Sequence, residues 1–192
     1  MRNIIFLSLL TLTCSAFARP HICSYEYAQE GSVVSWTAFK TPKKVGVGGK
    51  FTDFTIKAKR AKSVADMLSG ATFEINGQSV DTGDKARDVK IEQFFFKKML
   101  KGTWITGKVL KSTEGKAEVE MTMNGSKSVV PMVSKYDEKT KKLTLTATID
   151  VLNFGMKSNL ATLTKACFEK HEGVTWPDVN IELSANVVSD CK

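Results

Sequence analysis

The sequence predicts an all-β domain of about eight antiparallel strands, and three observations carry that reading. The first is strict alternation of apolar and polar residues, the mark of strands with one dry face and one wet face. Ala117, Val119, Met121 and Met123 alternate with Glu118, Glu120, Thr122 and Asn124. Leu143, Leu145, Ala147, Ile149 and Val151 alternate with threonines and Asp150, and Val179 to Val187 repeats the pattern. The second is the placement of turn signals between such runs, at Pro42, Gly46 with Gly48-Gly49, Gly102, Glu114-Gly115, Asn124-Gly125 and Asp137-Glu138. Asn-Gly between two alternating runs is the strongest short hairpin signal, and short turns favour an up-and-down order. The third is that many inward candidates are small or flexible, such as Ala117, Ala147, Ala185, Met121 and Met123. Periodicity by itself leaves a sandwich and a barrel open, but inward faces of this kind favour a barrel with a cavity.

Less regular strands are expected over 25–28, 32–40, 45–57, 71–80, 103–112 and 126–136, with Gly46 to Gly49 as a bent or bulged stretch. Helical patterns occupy 63–69, 84–94 and 157–170. The last carries Leu160, Leu163 and Cys167 on one face, which should cover an opening or pack on the sheet.

The amino terminus reads Met1-Arg2-Asn3, then an apolar run from Ile4 to Leu12, then Ala16-Phe17-Ala18. This is the plan of a secretory signal peptide cleaved after Ala18, leaving residues 19–192 as one domain exported to the periplasm or beyond. The apolar run is too short to span a bilayer, and a soluble exported protein is expected. Cys14 follows a poor lipobox. The net charge is +8, with lysines clustered near turns. That describes a solvated surface first and an anionic membrane surface as a second partner. Nucleic acid is not an expected partner, because no basic stripe interleaved with aromatics appears.

Catalytic chemistry finds little support. Asp81, Asp84, Arg87 and Asp88 form the densest polar group, and helix capping by Asp84 explains it better than an acid/base pair without a nucleophile. The two histidines, His21 and His171, lack metal-type partner spacing. No nucleophile elbow or phosphate-cradling loop occurs. No enzyme activity, metal or cofactor is expected.

Four segments in linear order resemble the YceI family. Ser32-Val33-Val34-Ser35-Trp36 is similar to its S-x-V-x-F strand, and Gly49-Lys50-Phe51-Thr52-Asp53-Phe54 to its G-x-F-x-x-F strand. Val80-Asp81-Thr82-Gly83-Asp84-Lys85-Ala86-Arg87-Asp88, with Phe94-Phe95, resembles I-D-T-G-x-x-x-R-D and the F-F after it, and Asn153-Phe154-Gly155 the later D-F-G. Asn124 and Ser128 depart from the His and Thr of the family's H-G-V-T-K-P hairpin, and Val151-Leu152-Asn153 from its N-R-x-D.

The resemblance implies an extended lipocalin-like antiparallel up-and-down β-barrel of about eight strands with a few short helices. Its interior would hold a long-chain isoprenoid or acyl lipid. The lining expected for it is Val34, Trp36, Phe51, Phe73 and Ile75 from the first strands, and Val119, Met121 and Met123 from the central hairpin. Leu145, Ala147 and Ile149 follow from the next strand, then Phe154, and Leu183 and Ala185 from the last strand, with Arg87 at the rim. The alternatives are a packed envelope interaction module and, behind it, a lipid-modifying enzyme. Because such a barrel closes between its first and last strands, Cys23 is expected to pair with Cys191, leaving Cys167 unpaired. The ligand should be long. At about 0.8 kcal/mol per buried methylene against an association cost of about 4 to 15 kcal/mol, micromolar binding needs roughly 15 to 29 buried carbons.

Overall fold

Alternating strands with one dry face have to turn those faces toward each other, and here they do so by curling into a single antiparallel sheet. The computed structural model describes residues 23–191. The expected signal peptide with its expected cleavage point, Cys14 and His21 lie outside them. The strands are β1 (Cys23–Lys40), β2 (Val45–Phe51), β3 (Phe54–Lys57), β4 (Thr72–Asn76), β5 (Val80–Asp81), β6 (Trp104–Thr113), β7 (Lys116–Met123), β8 (Ser126–Asp137), β9 (Lys142–Asp150) and β10 (Thr175–Cys191). They are joined by α1 (Val64–Leu68), α2 (Lys85–Phe94), α3 (Lys157–Ala166) and α4 (Phe168–His171), with three short 3₁₀ turns.

Hydrogen-bonded order is β3-β4-β6-β7-β8-β9-β10-β1-β2-β5. Only Thr52-Asp53 separates β2 from β3, so one bent strand ends the sheet on both sides, against β1 through β2 and against β4 through β3. Counted as one, and leaving out the two-residue β5, it makes eight staves in up-and-down order. Between β1 and β3 the seam lacks a full ladder. There the Gln29 amide substitutes for backbone: its Nε2 donates to the Phe54 carbonyl at 3.0 Å and its Oε1 accepts from the Ile56 N–H at 3.4 Å. Tyr25 and Ala61 then exchange two backbone bonds of 2.8 and 3.1 Å.

The up-and-down order sorts the connections to two ends. The turns at Glu114-Gly115 and Asp137–Lys142, helix α1 and the Cys23–Cys191 pair gather at one; α2, α3, α4 and the Asn124-Gly125 turn gather at the other. Asn124 and Gly125 both take positive φ, 55° and 79°, as a two-residue hairpin turn requires. The asparagine does more than turn the chain. Buried, it accepts from the Leu100 N–H at 2.6 Å and donates to the carbonyls of Phe154 and Gly155 at 3.3 and 3.2 Å. It therefore ties three loops together at the helical end.

Two strands are longer than the alternation predicts. β1 runs unbroken through Gln29-Glu30-Gly31, because a bulge there, with Gly31 at φ 69°, absorbs a register shift against β10. Asn186 stitches it, its Nδ2 donating to the Glu30 carbonyl at 2.7 Å and its N–H to Ser32 Oγ at 3.3 Å. β10 starts at Thr175 rather than Val179; Pro177 sits at a second register irregularity, the one kind of interior site a strand proline tolerates. Gly46 to Gly49, expected as turn and bulge, instead pair in unbroken register with Phe39 to Trp36. Their small size serves a neighbouring ring, as described below.

Cys23 and Cys191 are direct cross-strand partners and form a disulfide. Cys167 is a buried free thiol between α3 and α4. Tying residues 168 positions apart constrains the unfolded chain over nearly its whole length. Replacing both bridge cysteines by serine is expected to lower stability by about 2 to 5 kcal/mol, measured by denaturant unfolding against the oxidised parent.

The faces are as the alternation has them on β7, where Ala117, Val119, Met121 and Met123 are buried and Lys116 and Glu118 exposed. Met121→Lys buries an unpaired charge and should cost several kcal/mol, whereas Val129→Lys on the outward face of β8 should stay within about 0.5 kcal/mol. Equal effects in thermal melts of the two variants would contradict the assigned faces.

Candidate functional site

Inside the curled sheet lies a cavity of about 200 Å³. It extends from Leu68 and Ala71, beside α1, to Leu160, Leu163 and Trp176 at the opposite end. Along β10 its wall spans Thr175 to Leu183, eight steps or about 26 Å of extended chain. Ser35, Thr72, Thr175 and Glu182 are the only residues with hydroxyl or carboxylate side chains in an otherwise apolar wall. Such a surface offers burial rather than hydrogen bonds, and dry cavities of this kind take apolar guests.

Eleven of the residues expected to line it do so: Val34, Trp36, Phe51, Phe73, Ile75, Val119, Met121, Met123, Leu145, Ile149 and Leu183. Four do not. Ala185 and Phe154 are 0% and 1% exposed and belong to the solid core, and the single methyl of Ala147 packs against that core without reaching the lumen. Arg87 lines a smaller recess beside the cavity and pairs with Asp84 at 3.4 Å. Wall residues that alternation could not reveal come from the helices and 3₁₀ turns: Ile91 on α2, Leu160 and Leu163 on α3, and Phe95 and Phe96 after α2. Phe94 points elsewhere and is 36% exposed. The apolar spacing of Leu160 and Leu163 was the available signal for α3; the run of three phenylalanines gave none for which ring turns inward.

Three of the aromatic walls lie over glycines. Trp36 and Gly49 are cross-strand partners, as are Phe73 and Gly107, and Phe96 covers Gly77. A methyl on any of these glycines would clash with the ring that covers it. Glycine opposite an aromatic lets the ring fold flat onto the sheet instead of projecting across it, which keeps large apolar residues in the wall without filling the lumen.

The acidic motif on the loop before α2 is structural. Asp84 caps α2, accepting from the Arg87 N–H at 3.2 Å, and Asp81 accepts from the Gly83 N–H at 3.0 Å. Those backbone donors hold both carboxyls below the usual carboxylate range. Asp88 is buried, and its Oδ1 accepts from Thr82 N–H and Oγ1 at 2.8 and 2.6 Å, clamping the loop to the helix. Cys167 and His171 share the small recess, but burial pushes the thiol up, so it is no activated nucleophile. Among the described residues no three His, Cys, Asp or Glu side chains gather to hold a metal ion.

The family model of the YceI-like domain matches residues 25–187. The chain belongs to the YceI-like family. Solved structures share its fold at low identity. BcnA of Burkholderia cenocepacia is 19% identical with a TM-score of 0.61, covering 85% of this chain and 99% of its own. A polyisoprenoid-binding domain from Saccharophagus degradans, implicated in plant cell wall breakdown, is 14% identical with a TM-score of 0.61, covering 90% and 99%. The YceI protein of Campylobacter jejuni is 17% identical with a TM-score of 0.52, covering 77% and 86%. No curated protein matches the chain.

The glycine pairing can be tested on this YceI-like barrel at the site where only side chains would clash. Gly49→Ala meets the Trp36 indole and the Thr82 methyl. It is expected to cost about 1 to 3 kcal/mol and to shift the tryptophan emission as the ring is displaced into the lumen. Unchanged stability and emission would show that the wall does not depend on this contact.

Proposed function

We propose that this YceI-like protein is a carrier for a long apolar chain, polyisoprenoid or fatty-acyl, held inside the barrel. The observation that carries the reading is the cavity: an apolar interior that large side chains line but do not fill. A fully packed interaction module would have no use for glycines that flatten rings against the wall. The description of the Saccharophagus degradans neighbour as a polyisoprenoid-binding domain supports the same ligand class. The signal-peptide pattern of residues 1–18 and the Cys23–Cys191 bridge support a site of action in an oxidising compartment outside the cytoplasm. Binding and release without chemistry is the activity proposed, with no metal or cofactor.

Solvent extraction of the protein purified from its native compartment, followed by mass spectrometry, is the direct test. A polyprenyl or long acyl species in stoichiometric amount is expected, and Met121→Lys should abolish it. Empty extracts, together with no binding of any long-chain isoprenoid or fatty acid by the delipidated protein, would sink the carrier function and favour the packed module.

A further inference from the structure

At the helical end a recess of about 70 Å³ adjoins the cavity and shares Trp36, Ala38, Ile91, Leu163 and Thr175 with it. Its remaining wall is of another kind. Lys40 enters from the end of β1, Arg87 and Lys90 from α2, and His171 from α4, with no carboxylate among the lining residues. Some of the cations at this end are paired: Lys44 with Asp178 at 2.8 Å, Lys85 with Asp88 at 3.6 Å, and Arg87 itself with Asp84. Lys40 and Lys90 have no such partner among the described residues.

Lys40 and Lys90 are half-buried residues that line one hollow with no carboxylate in its wall. His171 records this: burial and then the charges of Lys40 and Lys90 hold its imidazole below the ordinary value. Trp36 lines both hollows, and its indole N–H is buried with no acceptor. Unmatched positive charge, an orphaned donor and an apolar cavity behind them are complementary to one kind of molecule, an oxyanion attached to a chain.

We propose that the recess binds the anionic oxygen head, phosphate or carboxylate, of an amphiphile whose chain occupies the cavity, so that the ligand lies head at the helical end and tail toward α1. This rests on the carrier function proposed above. The head oxygens supply Lys40 and Lys90 with the counter-charge they lack, and Trp36 with an acceptor. A plain hydrocarbon or alcohol leaves all three unmatched.

Titration calorimetry of the delipidated full protein with hexadecyl phosphate, hexadecanol and inorganic phosphate, below micelle formation, tests this. Hexadecyl phosphate is expected to bind at least about tenfold more tightly than hexadecanol, the value of one charge-assisted hydrogen bond. The Lys40→Gln, Lys90→Gln double variant should lose that preference while keeping its affinity for hexadecanol, and the Lys40→Arg, Lys90→Arg variant should retain it. Inorganic phosphate should bind far more weakly than either amphiphile. Equal affinity for the phosphate and the alcohol, or a preference that survives the glutamine variant, overturns the head-group assignment and leaves the carrier function standing. Inorganic phosphate binding as tightly as hexadecyl phosphate makes the recess a free-anion site and overturns the amphiphile. Binding of neither amphiphile overturns the carrier function as well.

Discussion

A curled sheet satisfies its backbone polar groups within its own ladder, and that leaves the side chains of its inner face with one task, to exclude water. Whether they also fill the space is a matter of volume, and in this protein it is settled by pairs of residues facing each other across neighbouring strands. Trp36 over Gly49 and Phe73 over Gly107 place large rings along the wall rather than across it. The apolar area of a full core is retained, while its contacts are distributed around a hollow. This is why the interior can be stable empty and still gain from a guest, since a chain inserted there recovers dispersion contacts that the rings forgo.

The two ends of the hollow are built differently. At the end of the disulfide, α1 presses Met67 and Leu68 into the core and the bridge joins the first and last strands beside it. At the helical end the cover adds polar ties to a buried apolar layer of Val151, Phe154, Met156 and Leu163. It is made of short helices held by polar ties: Asn124 to three loop groups, Asn159 Nδ2 donating to the Phe95 carbonyl at 2.9 Å, and Asp88 to Thr82.

Much of the fold was legible because strand alternation has a period that sequence displays directly. Met121, Leu145 and Leu183 face the lumen because each stands on the apolar side of a strict two-residue repeat, and the Asn124-Gly125 turn fixed the register between β7 and β8. The long-range disulfide was legible through the barrel that the family resemblance implies: there the first and last strands are neighbours, and that brings Cys23 to Cys191.

What alternation cannot show is depth. Ala147 and Ala185 have the right parity and still miss the cavity, because a methyl's reach depends on strand curvature and on what stands opposite. The glycines of β2 read as a bend, and one of them, Gly49, proved to be the floor beneath Trp36, since a glycine's role depends on the cross-strand partner it meets. Of the helical wall only the spacing of Leu160 and Leu163 was legible, and the recess of Lys40, Lys90 and His171 lay hidden altogether: its residues come from β1, α2 and α4 and meet only when the sheet has curled. The sequence by itself determined the strands, their dry faces and the pairing of the chain ends, because those follow from local period and chain order. Only the tertiary structure decided how much of the interior stays open and where its charge collects, because both are properties of side chains distant in sequence that share one volume.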